Sequence, residues 1–578
     1  AASSAAASGS DRTLNYRGSG AAAGSSSSTA VQRGEGIFGA GPPRSPGRPS
    51  RPSLSTSPGG HRFCRDFLVE SGSGRFLQTY EPTGERELGR GAFGWVERCR
   101  HRPTGQLRAV KRVPKRADGG GLARVRHEVD VLRVLDHPNI ARLHEVFEDS
   151  RYLYISMELC DGGELEERIV AAGRLEERGA ASVMRGLLAA VHYMHSSHNL
   201  AHRDIKPGNC VFAGGKDSTL EDCEVKLIDF GMAIFCPLGE SMSDLVGTMA
   251  YAAPEVWAGD YGLECDVWSL GIVLHELLSG RLPRSCDVPL DAPAWQRVSG
   301  AAKELVVGML CKDPQRRWSL PQCLDHQWIK HHTAGVGGGD QHMLHPDVVL
   351  NMRHYAQGTV LRKAALQAMA TRMSARQIRQ LGQTFRRLDT NHDGVLSLRE
   401  LRAGIVGTSA AAACEDLEAL FEQLDTDGDG ELQYTEFLAA ALCARRGLCE
   451  DLAWVAFQQF DKDGDGHITA AELGSALGAG TGAGEDLDEE QAAELSELVA
   501  AADRDGDGTI CFDEFLNVLF GQGPGSAVGA VRKRPSSSTL AQSAQKVMKR
   551  PAATSSPPAE RCPLLCARPA AAAVAAAP

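Results

Sequence analysis

Large apolar residues are unevenly distributed along the chain. Residues 1–75 hold few of them and are rich in Ser, Gly, Ala, Pro and Arg, which is typical of a disordered tail. From about residue 80 to residue 329 they recur regularly, in a strand-like run at 152–155 and a helical run at 267–278. Residues 521–578 are again polar and basic. The pattern therefore predicts folded domains between two disordered tails.

The segment 330–380 combines a glycine-rich hinge at 335–339 with a basic amphipathic pattern. Its alternating apolar and basic residues are Leu350, Leu361, Leu366 and Met369, and Arg353, Arg362, Lys363 and Arg372. Such a helix suits an acidic groove or a groove that calcium opens in a partner domain. An ordinary linker helix is the alternative.

Residues 381–522 differ in charge from the rest of the chain. The chain has a net charge of -11, yet residues 381–522 alone carry 30 acidic against 8 basic residues. An acidic block of this kind is either disordered or a cation binder. The 578 residues predict three or four domains.

Several cellular features are also expected. The 16 scattered cysteines favour a reducing, intracellular and most simply cytoplasmic setting, with membrane or nuclear association left open. The sequence contains no run of about 18 apolar residues, so no transmembrane segment is predicted. Because the chain opens on Ala1, we expect residues before it that would hide any lipidation signal.

The first chemical signal is the sequence Leu88-Gly-Arg-Gly-Ala-Phe-Gly-Trp-Val96. Glycines 89, 91 and 94 let backbone N–H groups approach phosphate oxygens, and Val96 can cover a nucleotide base. Such a loop is weak evidence alone. Ala109-Val-Lys111 then predicts a strand whose lysine holds phosphates, and Glu128 can pair with that lysine, although a solvated helix face is its alternative.

The decisive motifs follow in order: His202-Arg-Asp-Ile-Lys-Pro-Gly-Asn209, Asp229-Phe-Gly231 and Ala253-Pro-Glu255. Together with the glycine loop and Lys111, they resemble a eukaryotic protein kinase domain, which implies a bilobal α+β fold over residues 80–329.

The resemblance implies a role for each of these residues. Asp204 accepts the proton of the substrate hydroxyl, Lys206 contacts the transferred phosphate, and Lys111 is fixed by Glu128. Asn209 and Asp229 hold Mg²⁺. The implied ATP and Mg²⁺ contacts are Leu88, Gly89, Gly91, Gly94, Val96, Ala109, Lys111, Glu158, Cys160, Glu164, Asn209 and Asp229.

Lys206 and Thr248 are typical of kinases that phosphorylate Ser or Thr. Glu164 reaches the ribose or a basic substrate residue, so we expect a basic residue upstream of the acceptor, most simply three residues before it. Gly208 departs from the pattern, because basophilic kinases usually have Glu there. We therefore expect weak discrimination two residues before the acceptor. The short segment after Gly280 makes substrate docking less predictable than the chemistry.

The acidic block contains four twelve-residue loops, at 389–400, 425–436, 461–472 and 503–514. Each has Asp or Asn at positions one, three and five, Gly at six and Glu at twelve, which is the pattern of an EF-hand calcium loop. The implied calcium ligands are Asp389, Asn391, Asp393, Val395, Ser397 and Glu400; Asp425, Asp427, Asp429, Glu431, Gln433 and Glu436; Asp461, Asp463, Asp465, His467, Thr469 and Glu472; and Asp503, Asp505, Asp507, Thr509, Cys511 and Glu514. Cys511 is a poor oxygen substitute. Leu396, Leu432, Ile468 and Ile510, at position eight, are expected to pair the loops through short β contacts.

The order of kinase, Leu350-Asn-Met-Arg353 junction and four EF-hands is similar to the calcium-dependent protein kinases. This resemblance implies a multidomain chain with an all-α calmodulin-like domain at 381–520. It also implies a Ser/Thr kinase that uses ATP, Mg²⁺ and Ca²⁺ and is held off by its junction helix until calcium binds. We expect protein substrates, a monomer and no nucleic-acid partner. A calcium-sensing scaffold with little activity and a kinase controlled by separate calmodulin are the alternatives.

Overall fold

The computed structural model describes residues 70–73, 76–84, 87–91, 94–115, 120–215, 220, 224–237, 239–283, 293–333, 344–406, 416–442, 446–477 and 489–521. Most of both predicted tails, the glycine hinge at 335–339 and most of the short segment after Gly280 lie outside the described residues.

The first part of the fold is a twisted, mainly antiparallel sheet in the order β1-β6-β7-β5-β4-β2, with β3 paired to β4. Its strands are β1 Glu70–Ser73, β2 Tyr80–Pro82, β3 Gly89–Arg90, β4 Trp95–His101, β5 Leu107–Pro114, β6 Leu143–Glu148 and β7 Tyr152–Glu158. Helices α1 Phe76–Thr79 and α2 Gly120–Val134 accompany the sheet. This is the smaller lobe of the predicted bilobal fold.

The last residues of the predicted tail 1–75 include β1, which pairs parallel to β6. The strand covers an edge of the sheet that would otherwise be unpaired. Buried aromatic residues then fix the chain next to it, since the ring of Phe76 stacks 5.4 Å from that of Tyr80 and 4.0 Å from that of Tyr154.

The second lobe is mostly helical. Its helices are α3 Leu165–Ala172, α4 Glu177–His198, α5 Pro254–Ala258, α6 Glu264–Ser279, α7 Gly300–Met309, α8 Leu320–Asp325 and α9 Gln327–Thr333. The short strands are β8 Leu200–Ala201, β9 Cys210–Ala213, β10 Glu224–Leu227 and β11 Ile234–Phe235. Helices α4 and α6 pack on each other and are almost wholly buried along their apolar faces, so they form the centre of this lobe.

The junction forms two helices, α10 Pro346–Ala356 and α11 Val360–Arg372, with a break at Gly358. The predicted apolar residues Leu361, Leu366 and Met369 are buried, whereas Leu350 is exposed. Both helices pack against helices of the acidic block and share one apolar core with them. The junction is therefore built into the C-terminal domain.

The acidic block folds as four helix–loop–helix units, as predicted. Their helices are α12 Ala375–Leu388, α13 Leu398–Ile405, α14 Leu417–Leu424, α15 Tyr434–Ala441, α16 Arg446–Phe460, α17 Ala470–Ala476, α18 Glu489–Ala502 and α19 Phe512–Phe520. The boundary expected at 380/381 falls inside α12, because this helix enters the first loop.

The end of α11 is anchored on the smaller lobe. The guanidinium of Arg372 pairs with Glu145 of β6, and both side chains are almost completely buried. Arg108 Nη2 donates to the Arg372 carbonyl at 2.8 Å, and Arg142 Nη1 donates to the Ala370 carbonyl at 2.9 Å. Two arginines thus neutralise the negative end of the α11 dipole.

The larger lobe and the segment between α2 and β6 add further contacts to the C-terminal domain. Arg386 Nη2 of α12 donates to Glu224 Oε1 at 2.6 Å, and the Thr435 amide donates to Asp136 Oδ2 at 2.7 Å. The C-terminal domain therefore contacts both lobes through charged side chains.

Candidate active site and calcium loops

Lys111 and Glu128 form a close ion pair between the sheet and α2. Lys111 Nζ donates to both carboxylate oxygens of Glu128 at 2.7 Å, and only 4% of the Glu128 side chain is exposed. Burial raises the pKa of Glu128, Lys111 counteracts the rise, and Asp229 adds to it. A Cβ atom added to Gly231 would lie 3.3 Å from Asp229 Oδ1 and 3.8 Å from Glu128 Oε2, so the two carboxylates are near each other. A cation beside Asp229 would favour the ionised form of Glu128.

The two lobes are joined by a buried column of side chains. Leu132, Leu143 and Phe230 belong to one buried apolar cluster, and the buried His202 ring lies 5.0 Å from that of Phe230. The column rests on Asp266 of α6, whose Oδ2 accepts the His202 amide at 2.8 Å. This arrangement holds the catalytic loop and α2 in a fixed relation.

Asp204 lies at the centre of the candidate site. Its Oδ2 accepts Lys206 Nζ at 2.8 Å, and its Oδ1 accepts the Thr248 amide at 2.8 Å and the Thr248 hydroxyl at 2.6 Å. Asn209 Nδ2 donates to the Asp204 carbonyl at 2.8 Å. Burial alone would raise the pKa of Asp204, but the hydrogen bonds from Lys206 and Thr248 outweigh it and hold the pKa below its ordinary value. Asp204 is therefore an ionised acceptor at neutral pH.

We expect Thr248→Ala to lower phosphotransfer about tenfold, because Asp204 loses its hydroxyl hydrogen bond and its orientation. The hydrogen bonds lower the Asp204 pKa, so activity is lost as pH falls through that lowered value. Without the Thr248 hydroxyl, the acid limb of kcat/KM should move to higher pH. Thr248→Ser keeps the hydroxyl and is the matched control. An unchanged rate and acid limb in the alanine variant would contradict this role.

Arg203 and Asp229 adopt backbone conformations that are sparsely populated for residues with a side chain, with φ of 65° and 63°. The Arg203 amide donates to Asp266 Oδ1 at 2.9 Å, which secures this conformation. Asp229 is exposed, and its carboxylate lies near that of Glu128. Arg203 also lies 3.5 Å from the exposed Asp244 carboxylate of the segment before Thr248.

The glycine loop is built on β3 and β4. Leu88 N donates to the Val96 carbonyl at 2.8 Å, and Gly89 pairs with Val96. A Cβ atom at Gly94 would lie 2.0 Å from the Arg112 carbonyl oxygen, so only glycine allows this turn. Gly91 N donates to the Gly94 carbonyl at 2.9 Å.

The remaining predicted nucleotide contacts lie on β5 and at the connection between the lobes. Ala109 precedes Lys111 on β5 by two residues, so both side chains face the same side of the sheet. The Glu158 carboxylate pairs with buried Lys226 at 3.1 Å. A nucleotide would therefore contact the backbone of Glu158 and not its side chain. Cys160 is partly buried just beyond β7, and Glu164 caps the start of α3.

The four acidic loops have the geometry of paired cation sites. Leu396 and Leu432 exchange two backbone hydrogen bonds of 2.9 Å, and Ile468 pairs with Ile510, which confirms the predicted β contacts. Side-chain oxygens converge within 4.8 Å in three loops: Asp425, Asp427 and Glu436; Asp461, Asp463 and Glu472; and Asp503, Asp505 and Asp507.

The ligand positions fit calcium. Burial, and then repulsion from neighbouring carboxylates, raises the pKa of Asp389 to about 8 and that of Glu436 to about 8. Asp389 Oδ1 is buried and has no hydrogen-bond partner among the residues that the structure describes. A divalent cation would neutralise this crowding and accept these oxygens as ligands. The other position-twelve carboxylates, of Glu400, Glu472 and Glu514, accept loop amides.

Polar side chains between these carboxylates form hydrogen bonds within and between the loops. Gln433 Nε2 donates to Asp427 and Asp429, both at 2.8 Å, and His467 Nδ1 lies 3.0 Å from Thr509 Oγ1 of the paired loop. The Cys511 amide donates to Glu514 Oε2 at 2.8 Å. The remaining predicted ligands, which stay predictions, lie in the described loops: Asn391, Asp393, Val395, Ser397, Glu431 and Asp465.

Sequence reasoning missed that the first loop contacts the larger lobe. A Cβ atom at Gly394, whose φ is 84°, would lie 2.7 Å from a ring carbon of Tyr193. Val395 joins the apolar cluster of the kinase lobes. No motif links these positions, so only the tertiary structure reveals the contact.

Known proteins share this combination of domains. The protein kinase domain family matches residues 83–329, and the EF-hand domain pair matches residues 378–442 and 450–519. Calcium-dependent protein kinase 9 of Oryza sativa subsp. japonica is 37% identical over 453 residues, which cover 75% of this chain and 76% of that protein. Calcium-dependent protein kinase 15 of the same organism is 35% identical over 480 residues, covering 79% and 85%. The chain belongs to the calcium-dependent protein kinase family.

This calcium-dependent protein kinase is therefore a calcium-regulated Ser/Thr kinase that acts on proteins and uses ATP and a divalent metal ion, with Ca²⁺ bound by its EF-hands. The predictions of family, fold class and activity are confirmed. Among the helices that the structure describes, none is long and apolar enough to cross a membrane.

Proposed function

We propose that the kinase transfers the γ-phosphate of ATP to a protein hydroxyl oriented by Asp204. The observation that carries this proposal is the joint geometry of two groups, the Lys111–Glu128 pair and Asp204 held by Lys206 and Thr248. Asp204 accepts the hydroxyl proton, and Lys206 lies beside it to stabilise charge on the phosphate.

Mg²⁺ is the divalent ion that we propose for the nucleotide site. Asn209 and Asp229 would hold it, since both belong to the catalytic motifs and the Asp229 carboxylate is exposed. When bound, the ion would neutralise charge that develops on the phosphates. Lys111, fixed by Glu128, orients the nucleotide.

We also propose that the junction holds the kinase off at low calcium and that the structure represents the released arrangement. Helices α10 and α11 lie against EF-hand helices, and Arg372 is anchored to Glu145. Arg108 and Lys111 are three residues apart on β5, so their side chains emerge on opposite faces of the sheet. Arg108 binds the end of α11, so the junction occupies the face of the sheet opposite the Lys111 site.

Several finer features complete the proposal. The substrates carry a basic residue upstream of the acceptor, which Glu164 attracts. The enzyme works as a monomer inside the cell, because its sensor contacts its own kinase lobes and the described cysteines are free thiols.

Substitutions in the calcium loops test the proposed control of activity by calcium. Glu472→Gln with Glu514→Gln is expected to raise the calcium concentration for half-maximal activity at least about tenfold, because each substitution removes a bidentate ligand. Calcium titrations of phosphotransfer and of binding should shift together. Glu497→Gln, an exposed carboxylate on α18, is the matched control. If the double variant bound calcium weakly yet kept the normal activation curve, these loops would not be the sensor.

A further inference from the structure

Gly208 lies in the catalytic loop, four residues after Asp204, where a Glu would otherwise face a basic substrate residue. The expectation of weak discrimination two residues before the acceptor assumed that this carboxylate is missing. The structure places another carboxylate there. A Cβ atom added to Gly208 would lie 3.1 Å from Glu166 Oε2.

Glu166 comes from a different element. It lies in the first turn of α3, which packs against the short 3-10 turn Pro207–Asn209 that contains Gly208. Its side chain is exposed, and no hydrogen bond or ion pair occupies it among the described residues. The carboxylate is therefore available to a substrate at the edge of the catalytic loop.

Glu276 of α6 provides a second carboxylate beside it. The Tyr251 hydroxyl donates to Glu276 Oε2 at 2.8 Å, which fixes that carboxylate. Burial raises the pKa of Glu276, the Tyr251 hydrogen bond counteracts the rise, and repulsion from the Glu166 charge adds to it. A guanidinium between them would remove this repulsion and gain two charge-assisted contacts.

We propose that Glu166 takes over the role of the missing carboxylate at position 208 and selects Arg two residues before the acceptor. The lack of a side chain at Gly208 leaves the space that the Glu166 carboxylate occupies. Glu166 is thus a specificity-determining residue, separate from Glu164, which is assigned to the position three residues before the acceptor. The inference rests on the proposed preference for basic substrates.

Four peptides test the proposal, with Arg or Ala at each of the positions two and three residues before a single serine. The full-length kinase at saturating calcium should prefer Arg over Ala at the nearer position about fivefold, a size set by the solvent exposure of Glu166. Glu166→Gln should abolish that preference through KM, with kcat unchanged, since the contact is remote from the reacting oxygen. The preference at the farther position should persist.

Two further variants sharpen the result. Glu167→Gln removes a neighbouring charge from the same helix turn and should leave all preferences unchanged. Gly208→Glu in the Glu166→Gln background should restore selection at the nearer position. A wild-type enzyme without this preference, or a Glu166→Gln variant that keeps it, would overturn the inference. Loss of preference at the farther position in the wild type would instead contradict the proposed role of Glu164.

Discussion

Asp229→Ala is expected to lower phosphotransfer about a thousandfold while calcium binding persists. Asp229 is the exposed carboxylate beside the Lys111–Glu128 pair, and loss of a metal ligand removes several kcal/mol of charge stabilisation in the transition state. The EF-hand ligands lie in other elements and should be unaffected. Phosphotransfer and calcium calorimetry on the same preparation measure both quantities.

Asp204→Ala should behave in the same way, because it removes the acceptor of the hydroxyl proton. Asp260→Ala, an exposed residue after α5, is the control for loss of an aspartate. Near wild-type turnover in Asp229→Ala would show that the metal assignment is wrong.

A chain that ends at Thr333 is expected to be active at any calcium concentration, because it lacks both the junction and the sensor. The truncation is placed after Thr333 because α9 ends at this residue. Helix α9 is part of the larger lobe, since its Trp328 donates to Glu177 Oε2 of α4 at 2.6 Å. The kinase lobes keep their own apolar core in this truncation.

A chain that ends at Met373 keeps α10 and α11 but lacks every EF-hand, and we expect it to be inactive at any calcium concentration. Leu361, Leu366 and Met369 lose the partners that bury them and become free to occupy the kinase. A change from 1% to 99% active requires about 5.5 kcal/mol of differential binding. The chain that ends at Met373 cannot make this change, so we expect it to be about a hundredfold less active than the chain that ends at Thr333. Equal activity of the two truncations would mean that the junction is only a linker.

The catalytic and calcium residues could be predicted from the sequence because their chemistry fixes both residue type and spacing. A loop such as 425–436 needs oxygen ligands at set positions, and Asp204 and Asn209 must occupy one short loop. These constraints act over short stretches of sequence, so the positions can be recognised from the sequence alone. Their roles stay predictions until the variants are measured.

Contacts between distant parts of the chain could not be predicted in this way. Glu145 and Arg372 are 227 positions apart, and no motif pairs them. In the sequence, Glu166 cannot be distinguished from other acidic residues of a helix turn. Only the fold shows that it lies beside Gly208. The break at Gly358 depends on how α10 and α11 pack against the EF-hands, which amphipathic periodicity alone does not determine.

The most direct measurement is the phosphotransfer rate of the full chain in calcium chelator and in saturating calcium, beside that of the chain ending at Thr333. The account predicts that the full chain is about a hundredfold slower than the truncation in chelator and approaches it in calcium. A full chain that matches the truncation in chelator would contradict control by the junction and its EF-hands.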